Sequence, residues 1–400
     1  MIQSSLTRRS FLGAAASASL LGGLSSNDRI AIGLVGTGGR GQSHVRDLVR
    51  LKDRNIVITA ICDVYRPNRE KAAALAEQGF GIKPKTTTNY KELLSWKDVD
   101  AVVIAAPDFT HSVMLKAAVE AGKDVYVEKP FGTVFSEAKA AYLAVKKSKQ
   151  VVQVGTQRRS EGNFVAAASQ VRSGVLGKVT RVEMAVNFQE PRWRRANEKI
   201  DSADVDWKMF QLDGRISRGF DQRLLREWQL FPETTNGIPG LWMSHFIDLV
   251  PWYLDDPYPA GAVANGGVFL WKDGRKTSDV FYALLDYPKE FLVSFSMTLT
   301  NTVGSRNLWC GARGTLDAEK WIISGEGSRE KDKIQSETKI APEGKISSHM
   351  ENFLECARSR QTPRADVQAG FSHAVAGIMS SEALARGRRV RFDRDKLELV

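Results

Sequence analysis

Cysteine and histidine are scarce, and their scarcity removes several kinds of chemistry. Three cysteines, Cys62, Cys310 and Cys356, lie far apart in 400 residues and are odd in number. They provide neither a disulfide framework nor a metal-ligand spacing, so they read as buried thiols and no metal site is expected. Only five histidines exist, His44, His111, His245, His349 and His373. No apolar run approaches the roughly 18 residues that a bilayer core requires, so no transmembrane span is expected. Charge is unequal: 57 Lys and Arg face 46 Asp and Glu, a net +11, which favours anionic partners. The basic residues are interspersed with acids except at Arg192 to Arg195 and Arg215 to Arg226, the pattern of a solvated basic surface rather than a nucleic-acid-binding face. At 42% hydrophobic and 26% charged, the chain suits a globular protein of about two domains, and disordered and fibrous classes are excluded.

The first 26 residues stand apart. Thr7-Arg8-Arg9-Ser10-Phe11-Leu12 leads into an uncharged stretch to Leu24, followed by a polar exit at Ser25-Ser26-Asn27-Asp28. This reads as a twin-arginine export signal and places the remainder in the periplasm. Ala16-Ser17-Ala18 offers a cleavage motif that would shorten the apolar stretch; left uncleaved, the segment would act as an anchor. An ordinary amphipathic or disordered N-terminus is the competing reading.

Beyond residue 28 the chain has the order strand, glycine turn, helix. The apolar run 29–35 stops at Gly36-Thr37-Gly38-Gly39-Arg40-Gly41, and a helical period begins at His44. In such a unit Gly36 permits the turn, Gly38 lets backbone approach a pyrophosphate, and Gly41 lets helix pack on strand. A second strand, 55–62, ends at Asp63, 22 residues beyond Gly41, where an acid grips a ribose diol and repels a 2′-phosphate. NAD is therefore expected over NADP, although Arg66 keeps NADP open. Helices at 67–78, 89–94, 111–121 and 135–147 alternate with strands at 100–105 and 124–127, which implies a doubly wound parallel sheet. Ligands bind at the carboxyl ends of such strands. Ala106-Pro107-Asp108-Phe109-Thr110-His111 and Glu128-Lys129-Pro130 both fall there. A lysine at that edge can bond a substrate hydroxyl and stabilise the alkoxide as hydride leaves; the alternative is a surface lysine before a turn. For His111, capping or packing competes with a ligand contact.

These motifs, together with Val154-Gly155-Thr156-Gln157-Arg158, resemble the Gfo/Idh/MocA oxidoreductases over nearly the whole chain after residue 26. The closing segment from His349 to Arg388 resembles that family's terminal helices, which return toward the nucleotide domain. The resemblance implies an α/β fold: an N-terminal Rossmann domain with a doubly wound parallel sheet, then a C-terminal α/β domain with a large, mostly antiparallel sheet whose open face serves homo-oligomerisation. The divisions are then 1–26, 27–150 and 151–400. Strands at 179–187, 261–271, 278–286, 290–301, 306–312 and 314–318, with turn signals between, suit the second domain. The resemblance further implies that Lys129 is catalytic and that Glu128, Gln157, Trp193 and Arg194 lie by the nicotinamide, with His111, Ala106 and Pro107 at the cofactor.

Hydride transfer from an alcohol needs a proton acceptor, and His245 in Gly240-Leu241-Trp242-Met243-Ser244-His245-Phe246-Ile247-Asp248 is the candidate. The family carries Asp four residues before this histidine, where this chain has Leu241. Asp248, on the same helical face, or Ser244 would then orient the ring. Arg158, Ser244, His245 and Asp248 join Lys129 as candidate substrate contacts. Residues 188–240 are long and irregular, with Trp193, Trp207 and Trp228 among many arginines. Trp faces with Arg forks suit sugars bearing anionic groups, or else the tryptophans are packing anchors. The expected function is an NAD-dependent oxidoreductase of a sugar, sugar derivative or polyol whose cofactor, captive after export, is recycled in place. A redox-neutral glycosidase or lyase working through a transient keto-sugar is one alternative, as in members resembling glycoside hydrolase family 109. A carbohydrate-binding protein with a vestigial NAD site is another.

Overall fold

The computed structural model describes residues 29–195 and 199–400; the twin-arginine segment lies outside them. Alternation of short apolar runs with amphipathic stretches builds the first half: β1 (Ile30–Val35), α1 (Gly39–Arg50), β2 (Ile56–Cys62), α2 (Arg66–Phe80), β3 (Lys85–Thr87), α3 (Tyr90–Ser95), β4 (Ala101–Ile104), α4 (His111–Glu120), β5 (Asp124–Val127), α5 (Phe135–Lys147) and β6 (Val152–Val154). All six strands run parallel in the order β3-β2-β1-β4-β5-β6. The strands are apolar on both faces because helices cover both. The last strand lies beyond residue 150 and completes this sheet.

After α6 (Gly162–Arg172) the long strand β7 (Val179–Asn187) enters a second sheet. The insert after β7 carries α7 (Trp207–Phe210) and α8 (Gln222–Arg226), then a π-helical turn, Pro239–Met243, runs into α9 (Ser244–Ile247) and α10 (Leu249–Leu254). Strands β8 (Gly261–Gly267), β9 (Val280–Tyr287), β10 (Phe291–Thr298), β11 (Arg306–Gly311), β12 (Gly314–Asp317), β13 (Ile322–Ser324) and β14 (Thr338–Lys339) come next. The chain closes with α11 (His349–Ser359), α12 (Val367–Arg386), β15 (Val390–Asp393) and β16 (Glu398–Leu399). The sheet order is β14-β13-β12-β11-β7-β10-β9-β8-β15-β16, antiparallel except where β7 meets β10. The expected strand 261–271 is shorter because the Asp279 carboxylate collects the backbone N–H groups of Phe269, Leu270 and Trp271 and turns the chain there.

Period-two patterning decides which face of this sheet is covered. Phe281, Leu285, Val293, Phe295 and Met297 are buried, whereas Val263, Tyr282, Leu284 and Leu292 are exposed on the other face. The terminal helices tie the halves together. Met350, Phe353, Leu354 and Cys356 of α11 pack into the core of the parallel sheet beside Ile32, Leu34 and Tyr126. Cys62 and Cys356 are buried thiols, but Cys310 is half-buried, with Arg181 Nη2 3.6 Å from its Sγ. Among the described residues no helix is long and apolar enough to cross a membrane, and no cluster of His, Cys, Asp or Glu could hold a metal ion.

Candidate active site

The glycine turn is shaped by steric need. Gly36 has φ +81°, and a Cβ there would lie 2.4 Å from Ala106 N; at Gly41 it would lie 2.1 Å from Gly36 O. At Gly38 and Gly39, in contrast, a Cβ would meet open space apart from Asn68 at 3.8 Å. That opening lies over the N-terminus of α1, where the first N–H groups have no intrahelical partner and can receive a pyrophosphate. Thr37 is fully buried and works beneath the loop: its N–H and hydroxyl donate to Asp63 Oδ2 at 2.5 and 3.1 Å, while Tyr65 N–H donates to Oδ1 at 2.8 Å. Burial pushes the Asp63 carboxyl up from its ordinary range, opposed by these bonds. A carboxylate has more acceptor sites than these donors use, so a ribose diol can still be bound.

Gly36, Gly38, Gly39, Arg40, Asp63, Ala106 and Pro107 all border one cleft of about 610 Å³. Its opposite wall comes from the insert, through Trp193, Arg195, Phe210, Arg226 and Trp228. The size and the donor set fit a dinucleotide: free helix amides for the pyrophosphate, an acid for the diol, and arginines on both walls.

The described residues of the insert are structured, which its composition did not reveal. Phe109, from the Ala106-to-His111 motif, seeds a small separate core with Phe210, Ile216, Leu224, Leu230 and Phe231. Trp207 stacks on Phe210 with centroids 4.8 Å apart and donates from Nε1 to Arg218 O, so it is a packing anchor. Arg215 forms an ion pair with Glu137 at 2.9 Å, pinning the insert to α5.

Lys129 follows β5 at the carboxyl edge, its Nζ donating to Leu241 O of the π-helical turn at 2.8 Å. Burial lowers the lysine pKa, partly countered by the negative charges of Asp108 and Glu128. His245 stands one turn after Leu241. Its pKa lies well below 6.5, first from burial and then from the positive charges of Lys129 and Arg158. The ring therefore stays neutral and able to accept a proton at neutral pH.

Several expected roles are corrected by these contacts. Asp248 does not orient His245: its carboxylate is paired with Arg159 at 2.8 and 3.0 Å in a buried bridge, with His373 Nδ1 3.9 Å away. Burial would raise the Asp248 pKa, but Arg159 holds it down to about 2. Ser244 donates to Gly240 O at 2.7 Å and is buried. His111 does not line the cleft, and its two ring nitrogens face Pro130 O and Ala106 O at 2.7 and 2.8 Å. Arg158 lies over the rings of Phe164 and Phe246, donating to His245 O at 3.1 Å, and so supports the histidine from behind. Arg194 turns toward Glu227 and Asp273, leaving Trp193 and Arg195 at the cleft.

Glu128 is the buried hub of a polar cluster. Arg40, His44 and Gln157 converge on its Oε1 at 2.7, 2.9 and 3.0 Å, and Gln157 also donates to Tyr126 Oη at 3.0 Å. Burial would raise its pKa, but the bonds and charges of His44 and Arg40 hold it far below the carboxylate range. His44 carried no local signal beyond its place on the first helix. Asp108 was missed as well. It is buried, accepts from Thr235 Oγ1 at 2.8 Å, and its Oδ2 lies 3.3 Å from where a Gly240 Cβ would be. It is thus a carboxylate beside the Gly240–Leu241 peptide that lacks an acid of its own.

A Rossmann sheet with a glycine turn, an acid after β2 and a lysine after β5, followed by an open-faced sheet domain, defines a class. This chain belongs to the Gfo/Idh/MocA oxidoreductase family: residues 30–156 match its NAD-binding Rossmann fold and residues 168–392 its C-terminal alpha/beta domain. Among similar proteins, inositol 2-dehydrogenase of Salmonella typhimurium is 31% identical over 147 residues, 36% of this chain and 42% of that protein. The chain thus matches less than half the length of that relative. Two solved structures share the fold across 91% of this chain. The aldose-aldose oxidoreductase of Caulobacter crescentus, complexed with glycerol, has a TM-score of 0.68 at 14% identity and is covered over 100% of its length. The WlbA dehydrogenase of Bordetella pertussis, in complex with NADH and UDP-GlcNAcA, has a TM-score of 0.67 at 18% identity and 99% coverage.

Proposed function

We propose that this chain is an NAD-dependent oxidoreductase of a sugar, sugar derivative or polyol that is exported with its cofactor enclosed and recycles it in place. The observation that carries this reading is the cleft, bounded on one side by the glycine turn and Asp63 and on the other by the insert. NAD bound there supplies a hydride acceptor and, in the return step, a hydride donor. The chain's own groups move the proton. Lys129 bonds the reacting hydroxyl and stabilises its oxygen as the carbinol C–H leaves as hydride, and neutral His245 takes the proton. With a second, carbonyl substrate in the same site, Lys129 would hold its oxygen and protonated His245 would return the proton, so that the side chains end as they began. Relatives named for inositol and aldose chemistry support polyhydroxylated substrates.

The twin-arginine segment motivates the captive cofactor, because that route carries folded proteins. The exposed apolar residues of β8, β9 and β10 support self-association through the open sheet face. The test is to incubate the purified protein with a panel of sugars and polyols while following absorbance of reduced nicotinamide, with and without an acceptor sugar. An oxidised product that accumulates only with acceptor supports the proposal. Bond cleavage with no net oxidation assigns the redox-neutral reading instead, and bound NAD that no substrate reduces contradicts both.

A further inference from the structure

We propose that Asp204 is a cofactor-specificity residue: it holds Arg66 against the insert, away from the 2′ position of the bound adenosine ribose, so that the chain takes NAD and rejects NADP. This deepens the reading of the cleft as an NAD site and rests on it. Asp63, Val64, Tyr65 and Asn68 border the cleft, and Arg66 lies between them at the start of α2. A cation at that place is the usual receiver of a 2′-phosphate. Here its Nε and Nη2 both donate to Asp204 Oδ1, the Nε at 2.9 Å. Arg69, the next cation on α2, gives its Nη1 to Asp63 O at 2.7 Å.

An exposed ion pair is weak alone, but Asp204 does not depend on this pair for its position. Its N–H donates to Asp201 O at 3.0 Å, closing a turn whose Asp201 side chain accepts from Ala203 N–H at 2.9 Å. The next residue, Val205, forms an antiparallel bridge with Tyr65, and Asp206 N–H donates to Val64 O at 2.9 Å. The Asp206 carboxylate in turn accepts from Thr88 Oγ1 at 2.7 Å. The insert is thus zipped onto the loop that reads the ribose, and Asp204 arrives already placed, so little ordering entropy opposes its contact with Arg66. With Asp63 repelling a 2′-phosphate and Asp204 withholding the nearest cation, both devices select against NADP.

The full-length protein, purified as exported with no nucleotide added, reports the preference as the ratio of NADP to NAD released on denaturation and measured by mass spectrometry. Wild type should retain NAD. Asp204→Ala should raise the NADP-to-NAD ratio about two- to fivefold, the worth of releasing an exposed ion pair, whereas Asp204→Glu should keep the wild-type ratio. Adding Arg66→Ala to Asp204→Ala should remove the gain. A merely structural role for Asp204 would lower total occupancy without moving the ratio. An unchanged ratio in Asp204→Ala, or a gain that survives loss of Arg66, overturns the inference while leaving the NAD reading intact. Wild type that retains no dinucleotide overturns both.

Discussion

Lys129 and His245 share one local field. Replacing Lys129 with Met should lower turnover by about 10²–10⁴-fold, the range for a positioned proton-transfer group, while mass spectrometry finds the bound nucleotide unchanged. His245 is held below the ordinary histidine range by burial and two cations, so the acid limb of kcat/KM should lie below about pH 6.5. Removing one cation, in Arg158→Met, raises the pKa of the ring and should move that limb to higher pH; a limb that stays or falls contradicts the assignment. The placement of the glycine turn, Asp63 and Lys129 was legible in the sequence because it follows from local backbone geometry at strand ends. The surroundings of His245 were not. The i+3 spacing of Asp248 suggested a partner, but that carboxylate is claimed by Arg159 and approached by His373, residues distant in sequence that no local pattern couples.

At the scale of elements, the Asp248–Arg159 bridge fastens α9 and α10 to the short turn after β6. Asp248→Asn leaves a buried guanidinium without its counter-ion, and urea denaturation should show a loss of about 3–5 kcal/mol. The pH dependence has a definite sign. The native pKa of Asp248 is about 2, below the roughly 3.9 of an unfolded Asp, so its contribution is present above pH ~3.9 and is lost as pH falls toward 2. That part of the acid-induced loss should be missing from Asp248→Asn. The insert shows how far composition can be read. Its length and tryptophans marked residues 188–240 as notable, but their division of labour did not show: Trp207 anchors, whereas Trp193 and Trp228 border the cleft. That division depends on Phe109 and Tyr65, which belong to the other domain.

The whole molecule joins a cleft at the glycine turn to an open sheet face. That face was foreseen from the family resemblance; alternation in β9 and β10 produces it, and Val263 lies directly opposite Leu284 on adjoining strands. Charges placed there, as Leu284→Asp with Tyr282→Asp, should convert an oligomer to monomer in size-exclusion chromatography with light scattering, leaving bound nucleotide in place; a wild type that is already monomeric contradicts the role of this face. The most direct test of a captive cofactor is the nucleotide content of protein recovered from the periplasm, denatured and measured by mass spectrometry without any nucleotide having been added. The expected result is close to one NAD per chain. Protein that is folded and exported but carries no dinucleotide would contradict it.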